Sequence, residues 1–230
     1  MRQFLKRRLA NLSLRFLLSS VIFIASVIFF VLITRSVLGP EQHRMDIAAI
    51  KAFAKETTTT LRDIMIGISF LASSPFLTVA YLLLLGWYSF FHKSWRRGLA
   101  TAIIGIGGSL VTHFLKVYFQ RPRPANPLSD PLLTYSFPSG HSSAGFIFYG
   151  LLIYLVSKSN LSPGYKILTG ILLAALSLLI GLSRIILRFH YLSDVIGGFC
   201  IGAAWLSLSI YLLEHYPVSS SNPKTNSSRK

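Results

Sequence analysis

Acidic side chains and cysteine are scarce in this chain of 230 residues, and each shortage removes a class of explanation. Seven Asp and Glu stand against 23 Lys and Arg, a formal net charge of +16. Paired carboxylate clusters of the kind that hold magnesium are missing from the sequence. The one cysteine, Cys200, lies in an apolar run, so it can form no intrachain disulfide and reads as a buried spectator thiol. Charged residues make up only 13% of the chain and hydrophobic ones 52%, which is too apolar for an ordinary soluble domain of this size. The basic residues flank apolar runs and form no patterned face, which argues against nucleic acid as a partner. No internal repeat is apparent.

What the chain has instead is long hydrophobic stretches. A helix needs about twenty mostly apolar residues to cross the hydrocarbon core. Six stretches approach or meet that length, near 16–35, 64–91, 98–118, 139–157, 165–183 and 190–213. The fold class expected is all-α, a six-helix transmembrane bundle in the lipid bilayer. The second stretch contains Ser73-Ser74-Pro75, where the missing proline amide predicts a kink within one span. Residues 1–15 form a basic N-terminus, and the run Phe16 to Ile33 is long for a signal core, so it reads as a retained anchor. Residues 16–216 then make one membrane domain. Glu41 to Asp63, with apolar positions at Met45, Ala49 and Phe53, suggests a helix lying along the interface. The Ser-, Asn- and Lys-rich tail 217–230 reads as disordered.

Positive loops stay in the cytoplasm. With both termini cytoplasmic, that side collects thirteen of the 23 Lys and Arg: five before Phe16, three at 93–97, Lys158, Lys166 and three in the tail. A bacterial inner membrane fits the span lengths and the lack of eukaryotic targeting signals. Three clusters of ionisable residues then fall together on the non-cytoplasmic face.

Ionisable groups next to apolar spans are functional candidates, because something must offset their desolvation. The first cluster runs from Lys116 to Pro124. Pro122 and Pro124 end the helix after Lys116, and the turn can bring Lys116 and Arg123 to one anion, the guanidinium as a planar fork and the ammonium as a point charge. Taken alone, the two read more readily as interfacial anchors or snorkelling cations. The second is Pro138-Ser139-Gly140-His141, a helix start whose free amides and dipole make an anion seat. Ser139 can add its hydroxyl, Gly140 lets a ligand approach the backbone, and His141 can donate a proton to a leaving-group oxygen. A capped helix with an incidental histidine is the plainer reading.

The third cluster holds Ser183, Arg184, His190 and Asp194. His190 and Asp194, four apart at the start of the sixth helix, share a face, so the carboxylate can accept from Nδ1–H and leave Nε2 as a nucleophile. Arg184 needs a turn between itself and His190 to meet the same phosphate. An ion pair of Asp194 with Arg188 or Arg184 is the alternative. His43, His92, His113 and His215 read as surface or packed residues. Arg121, Arg188 and Asp130 can line the mouth without a readable role.

Lys116 with Arg123-Pro124, then Pro138 to His141, then Ser183-Arg184 with His190 and Asp194: together these resemble the signature of the type 2 phosphatidic acid phosphatase superfamily. That signature is Lys, six residues, Arg-Pro; Pro-Ser-Gly-His; and Ser-Arg, five residues, His, three residues, Asp. The match spans about residues 64–213. The resemblance implies His190 as nucleophile, Asp194 as its partner and His141 as general acid. Lys116, Arg123, Ser139, Gly140 and Arg184 would cradle the phosphoryl oxygens. It also implies a phosphohistidine intermediate, no metal and no other cofactor, with a membrane lipid phosphate as substrate. Phosphatidic acid, phosphatidylglycerol phosphate and undecaprenyl diphosphate are the classes considered, and the sequence sets no oligomeric state. A lipid phosphotransferase or a catalytically silent lipid-binding protein would share the fold, although the latter is expected to lose a catalytic histidine and both are present.

Overall fold

A computed structural model describes residues 2–39, 43–54, 57–129 and 133–215. They form eight helices: α1 Arg2–Leu38, α2 His43–Ala54, α3 Thr59–Phe70, α4 Ser74–Phe90, α5 Trp95–Phe119, α6 Gly140–Ser157, α7 Pro163–Ile186 and α8 Leu192–His215. Among the described residues six segments are long and apolar enough to cross a membrane, α3 and α4 together supplying one of 32 residues. No strand occurs among the described residues. The fold is therefore the all-α bundle expected. Tail 217–230 and Asp130 lie outside the described residues.

The kink expected at Ser73-Ser74-Pro75 is a break between α3 and α4. Ser73 caps α4, its hydroxyl accepting from the Phe76 amide at 3.4 Å, and Pro75 occupies the first turn, where a missing amide costs nothing. The polar stretch before it also departs from one interfacial helix. It holds α2 and the first turn of α3, which starts after the Thr58 cap. Met45 faces outward, whereas Phe53 packs beneath Met65, Leu187 and Phe189.

α1 runs antiparallel along α8: Phe16 meets Tyr211 with ring centroids 5.3 Å apart, and Phe30 stacks on Phe137 at 5.6 Å. The ends of α5 and α7 and the starts of α6 and α8 thus gather at the end opposite the start of α1. Two apolar clusters set the spacing below them. Ala72, Leu77, Phe148, Tyr149 and Ile180 join α4, α6 and α7, and Ile104, Ile147, Leu151 and Leu206 join α5, α6 and α8. At the top, α8 lies directly against α6, because Gly198 leaves room for the Ser139 carbonyl where a Cβ would come within 2.6 Å of it.

Candidate active site

Each of the three clusters owes its shape to how a helix ends. α5 stops at Gln120, which takes a left-handed conformation (φ 48°) while its amide donates to the Lys116 carbonyl. The prolines that follow keep 121–129 irregular, and 133–138 lies back over the bundle end. Lys116 reaches up to it, its Nζ donating to the carbonyls of Tyr135 (2.7 Å) and Ser136 (3.2 Å). Arg123 donates to the Thr134 and Phe189 carbonyls at 2.6 and 2.7 Å.

α7 ends one turn beyond the expected boundary. Arg184 therefore lies inside its last turn, and the turn required to bring it to His190 follows at Leu187 to Tyr191. Arg188 is left-handed (φ 57°), and the amides of Phe189 and His190 both donate back to the Arg184 carbonyl at 3.0 and 3.1 Å. This closure is common at helix ends and is here made without glycine. The Arg184 guanidinium lies over the Phe189 ring, 4.3 Å from its centroid, and its Nη1 donates to the Ser69 hydroxyl at 2.5 Å. Its Nε is buried with no protein acceptor. A buried guanidinium with a donor to spare suits an anion.

His190 stands differently from the expectation. α8 begins at Leu192, so His190 precedes the helix and shares no helical face with Asp194. Asp194 instead occupies the third position of α8 and reaches back to accept the Tyr191 amide at 2.8 Å, half of a capping box. That return places Asp194 Oδ2 3.5 Å from His190 Nδ1, a contact longer than a normal hydrogen bond. Ser136 bridges the gap: its hydroxyl donates to the same Oδ2 and lies 3.4 Å from Nδ1. On the other side of the ring, Arg123 Nη1 is 3.2 Å from Nε2.

Both residues are shut off from solvent, His190 at 1% exposure and Asp194 at 0%. Burial pushes the His190 imidazole down to about 3, with Lys116 and Arg184 reinforcing the shift against Asp194. The ring is neutral at ordinary pH. Burial also lowers Arg123, opposed by Asp194.

The start of α6 completes the ring. The Ser139 amide donates to the Asp194 carbonyl at 2.9 Å, and the Ser139 hydroxyl oxygen accepts from the Ser142 hydroxyl at 2.9 Å and from its amide at 3.4 Å. As the cap of the helix, Ser139 leaves the first-turn amides of Gly140 and His141 without an intrahelical acceptor. Lys116 passes over Gly140, where a Cβ would meet its Cε at 3.6 Å. His141 follows Gly140 in the first turn of α6, at the same end of the bundle. All eight residues singled out in the sequence thus meet at one end of the bundle.

Asp194 pairs with neither Arg188 nor Arg184 but with Arg121, whose Nη1 donates to Oδ1 at 2.5 Å. Nη2 of the same guanidinium donates to Asp46 at 2.7 Å. Burial opposes the charge on Arg121, but Asp194 and Asp46 outweigh it and hold its pKa above the usual arginine value. Asp46, Ser136 and Ser193 carried no sequence signal, being single polar residues with no motif. Among the described residues no three His, Cys, Asp or Glu side chains gather as metal ligands would. His92 and His215 sit at the opposite helix ends, and His113 faces outward from α5.

Comparison with known proteins places this arrangement. The model of the PAP2 superfamily matches residues 95–216. Phosphatidylglycerophosphatase B of Bacillus subtilis is 28% identical over 176 residues, covering 76% of this chain and 86% of that protein. Dolichyldiphosphatase of Saccharomyces cerevisiae is 32% identical over 136 residues, covering 54% of this chain and 57% of that protein. Among solved structures, the transmembrane PAP2-type phosphatidylglycerolphosphate phosphatase of B. subtilis superposes with a TM-score of 0.78 at 26% identity, over 84% of this chain and 96% of that one. LpxE of Aquifex aeolicus shares the fold, with a TM-score of 0.55 at 23% identity, over 72% of this chain and 94% of its own. The chain belongs to the PAP2 superfamily, as an integral-membrane protein of the lipid-phosphatase type.

Proposed function

We propose that the protein is a metal-independent lipid phosphatase that cleaves a phosphate head group through a phosphohistidine on His190. The observation that carries this reading is the placement of the imidazole: buried, with Nδ1 toward Asp194 and Ser136 and Nε2 turned to Arg123. Arginine only donates, so Arg123 beside Nε2 fits the tautomer with a lone pair there and a proton on Nδ1.

In the reacting complex the Nε2 lone pair attacks phosphorus, the bond from phosphorus to the lipid oxygen breaks, and His141 protonates the departing oxygen. The phosphorylated ring keeps its Nδ1 proton against Asp194 and Ser136. Water then attacks phosphorus, His141 takes its proton, and the P–N electrons return to Nε2 as phosphate leaves. Lys116, Arg123, Arg184, the Ser139 hydroxyl and the first amides of α6 hold the equatorial oxygens, where charge grows during transfer.

The substrate belongs to the membrane lipid phosphates or diphosphates, with phosphatidylglycerol phosphate, phosphatidic acid and undecaprenyl diphosphate as the classes to test. The site lies at the end opposite the start of α1 and the end of α8. Combined with the excess of positive residues at those termini, this supports cytoplasmic termini and a mouth on the outer face of a bacterial inner membrane. Purified protein is to be assayed for inorganic phosphate release across that panel. His190→Ala is expected to abolish both turnover and the acid-labile phosphoenzyme, and retained turnover would remove His190 as the nucleophile. Label that passes from the lipid to an alcohol acceptor instead of water would make the protein a phosphotransferase.

A further inference from the structure

We infer that Asp46, on the short helix α2, is a positioning residue for the reaction: it divides the charge of Arg121 and so keeps Asp194 available to His190. The inference rests on the roles proposed above for His190 and Asp194.

Asp46 is far from every signature motif, yet it is 2% exposed and fully engaged at the site. One carboxylate oxygen accepts from the Ser193 amide at 2.9 Å, and the other from the Ser193 hydroxyl and Arg121 Nη2, both at 2.7 Å. Arg121 Nη1 closes the ring by donating to the Ser193 hydroxyl at 2.8 Å and to Asp194 Oδ1. The Arg121 guanidinium also lies over the Tyr191 ring at 4.3 Å, which fixes its plane. Asp46 therefore connects to His190 through one guanidinium and one carboxylate, across three segments of the chain.

The charges decide what this connection does. Arg121 alone against Asp194 would make a neutral buried pair with little field left for the imidazole. With Asp46 present the triad carries a net negative charge, and Asp194 can stabilise the positive ring formed on phosphorylation. An acidic residue in the first turn of a helix often serves only the helix dipole. Asp46 does more than that role requires, because its two oxygens are spent on Arg121 and Ser193, at the start of another helix. The outward face of α2, by contrast, carries the exposed Met45 and Ile47. A buried carboxylate on an otherwise peripheral helix is costly unless its partners repay the desolvation, and these do.

The test is a double-mutant cycle on the lipid hydrolysed fastest in the panel, with kcat, KM and thermal unfolding in detergent read for each variant. Asp46→Asn is expected to lower kcat at least tenfold with KM changed less than about twofold. Asp46→Glu, which keeps the charge, is expected to recover part of kcat. In an Arg121→Gln background, Asp46→Asn is expected to cost nothing further. Wild-type kcat in Asp46→Asn, losses that multiply across the cycle, or equal losses in the Asn and Glu variants at matched stability would each overturn the inference. His190→Ala run in parallel separates the two levels: if that variant still turns over, the reading of the site fails, whereas if it is dead and Asp46→Asn is normal, only the role of Asp46 fails.

Discussion

Arg123 Nη1 lies 3.2 Å from the Nε2 of His190, and the same nitrogen donates to the Phe189 carbonyl at 2.7 Å. The cation is thus anchored to the residue beside the nucleophile, and its fork stands where the phosphoryl oxygens arrive. An ammonium at this position can reach one oxygen but cannot also keep the Thr134 and Phe189 contacts. Arg123→Lys is expected to lower kcat/KM, and Arg123→Ala to lower it by about 10²–10³, the usual loss for one oxyanion donor. Initial rates over a substrate series check both, and a change confined to KM would show that Arg123 serves only ground-state binding.

The depressed pKa of His190, about 3, sets two pH dependences. For the reaction, the neutral nucleophile persists far below the normal histidine range near 6.5. The acid limb of the kcat/KM profile is therefore expected well under pH 5. An acid limb near 6.5, matched by titration of the His190 imidazole at that pH by NMR in the intact protein, would contradict this. For stability, the unfolded ring binds a proton below about 6.5 and the folded ring does not. The contribution is thus fully present above about 6.5 and is lost as pH falls toward 3. Melting temperature in detergent is expected to drop over that window, with a shallower slope in His190→Gln.

The sequence conveyed more of the site than of what supports it. Lys116, Arg123, Ser139, His141, Arg184, His190 and Asp194 were legible because their chemistry recurs at fixed spacings beside helix breaks. The spans were legible from length and apolarity alone. His190 and Asp194 do lie side by side, but not on the helical face expected: α8 starts two residues after His190 and the carboxylate returns through the Tyr191 amide. The partner of Asp194 was not legible. Arg121, Asp46 and Ser136 lie 73, 148 and 58 positions from it, and only the packing of α2 and the folded-back segment brings them together. Periodicity reports which face of a helix is buried, not which distant side chain it will meet.

Asp194 receives the Tyr191 amide, the Ser136 hydroxyl and Arg121 directly. Asp194→Asn keeps the shape but leaves Arg121 with Asp46 as its one carboxylate partner and turns an acceptor toward a donor. Breaking a buried pair in this way costs about 3 kcal/mol or more. The variant is expected to unfold at lower temperature and to lose turnover, and Ser136→Ala to lose a smaller part of each. Thermal unfolding with and without orthophosphate separates the two effects: phosphate should still stabilise Ser136→Ala, because the cations that grip it are unchanged. An Asp194→Asn variant as stable as the parent would mean that Arg121 has found another partner.

Helix packing offers a test that touches no charged group. At Gly198 a Cβ would lie 2.6 Å from the Ser139 carbonyl and 2.9 Å from the Ser142 Cβ, at the cap and first turn of α6. The first of these is backbone, which cannot rotate aside, so even alanine must push α8 away from the start of α6. That displacement would separate His190 and Asp194 from Ser139, Gly140 and His141, across a site where about 1 Å costs on the order of 10²-fold in rate. Gly67, in α3, has nothing within 4 Å of the same position, and alanine is the better helix former there. Gly198→Ala is expected to lower kcat by at least tenfold, and Gly67→Ala to leave kcat unchanged with equal or higher melting temperature. Parallel kinetics and unfolding on the pair decide it. Wild-type activity in Gly198→Ala would show that the α6 and α8 ends can part without disturbing the attack on phosphorus, contrary to the fixed geometry on which the proposed chemistry depends.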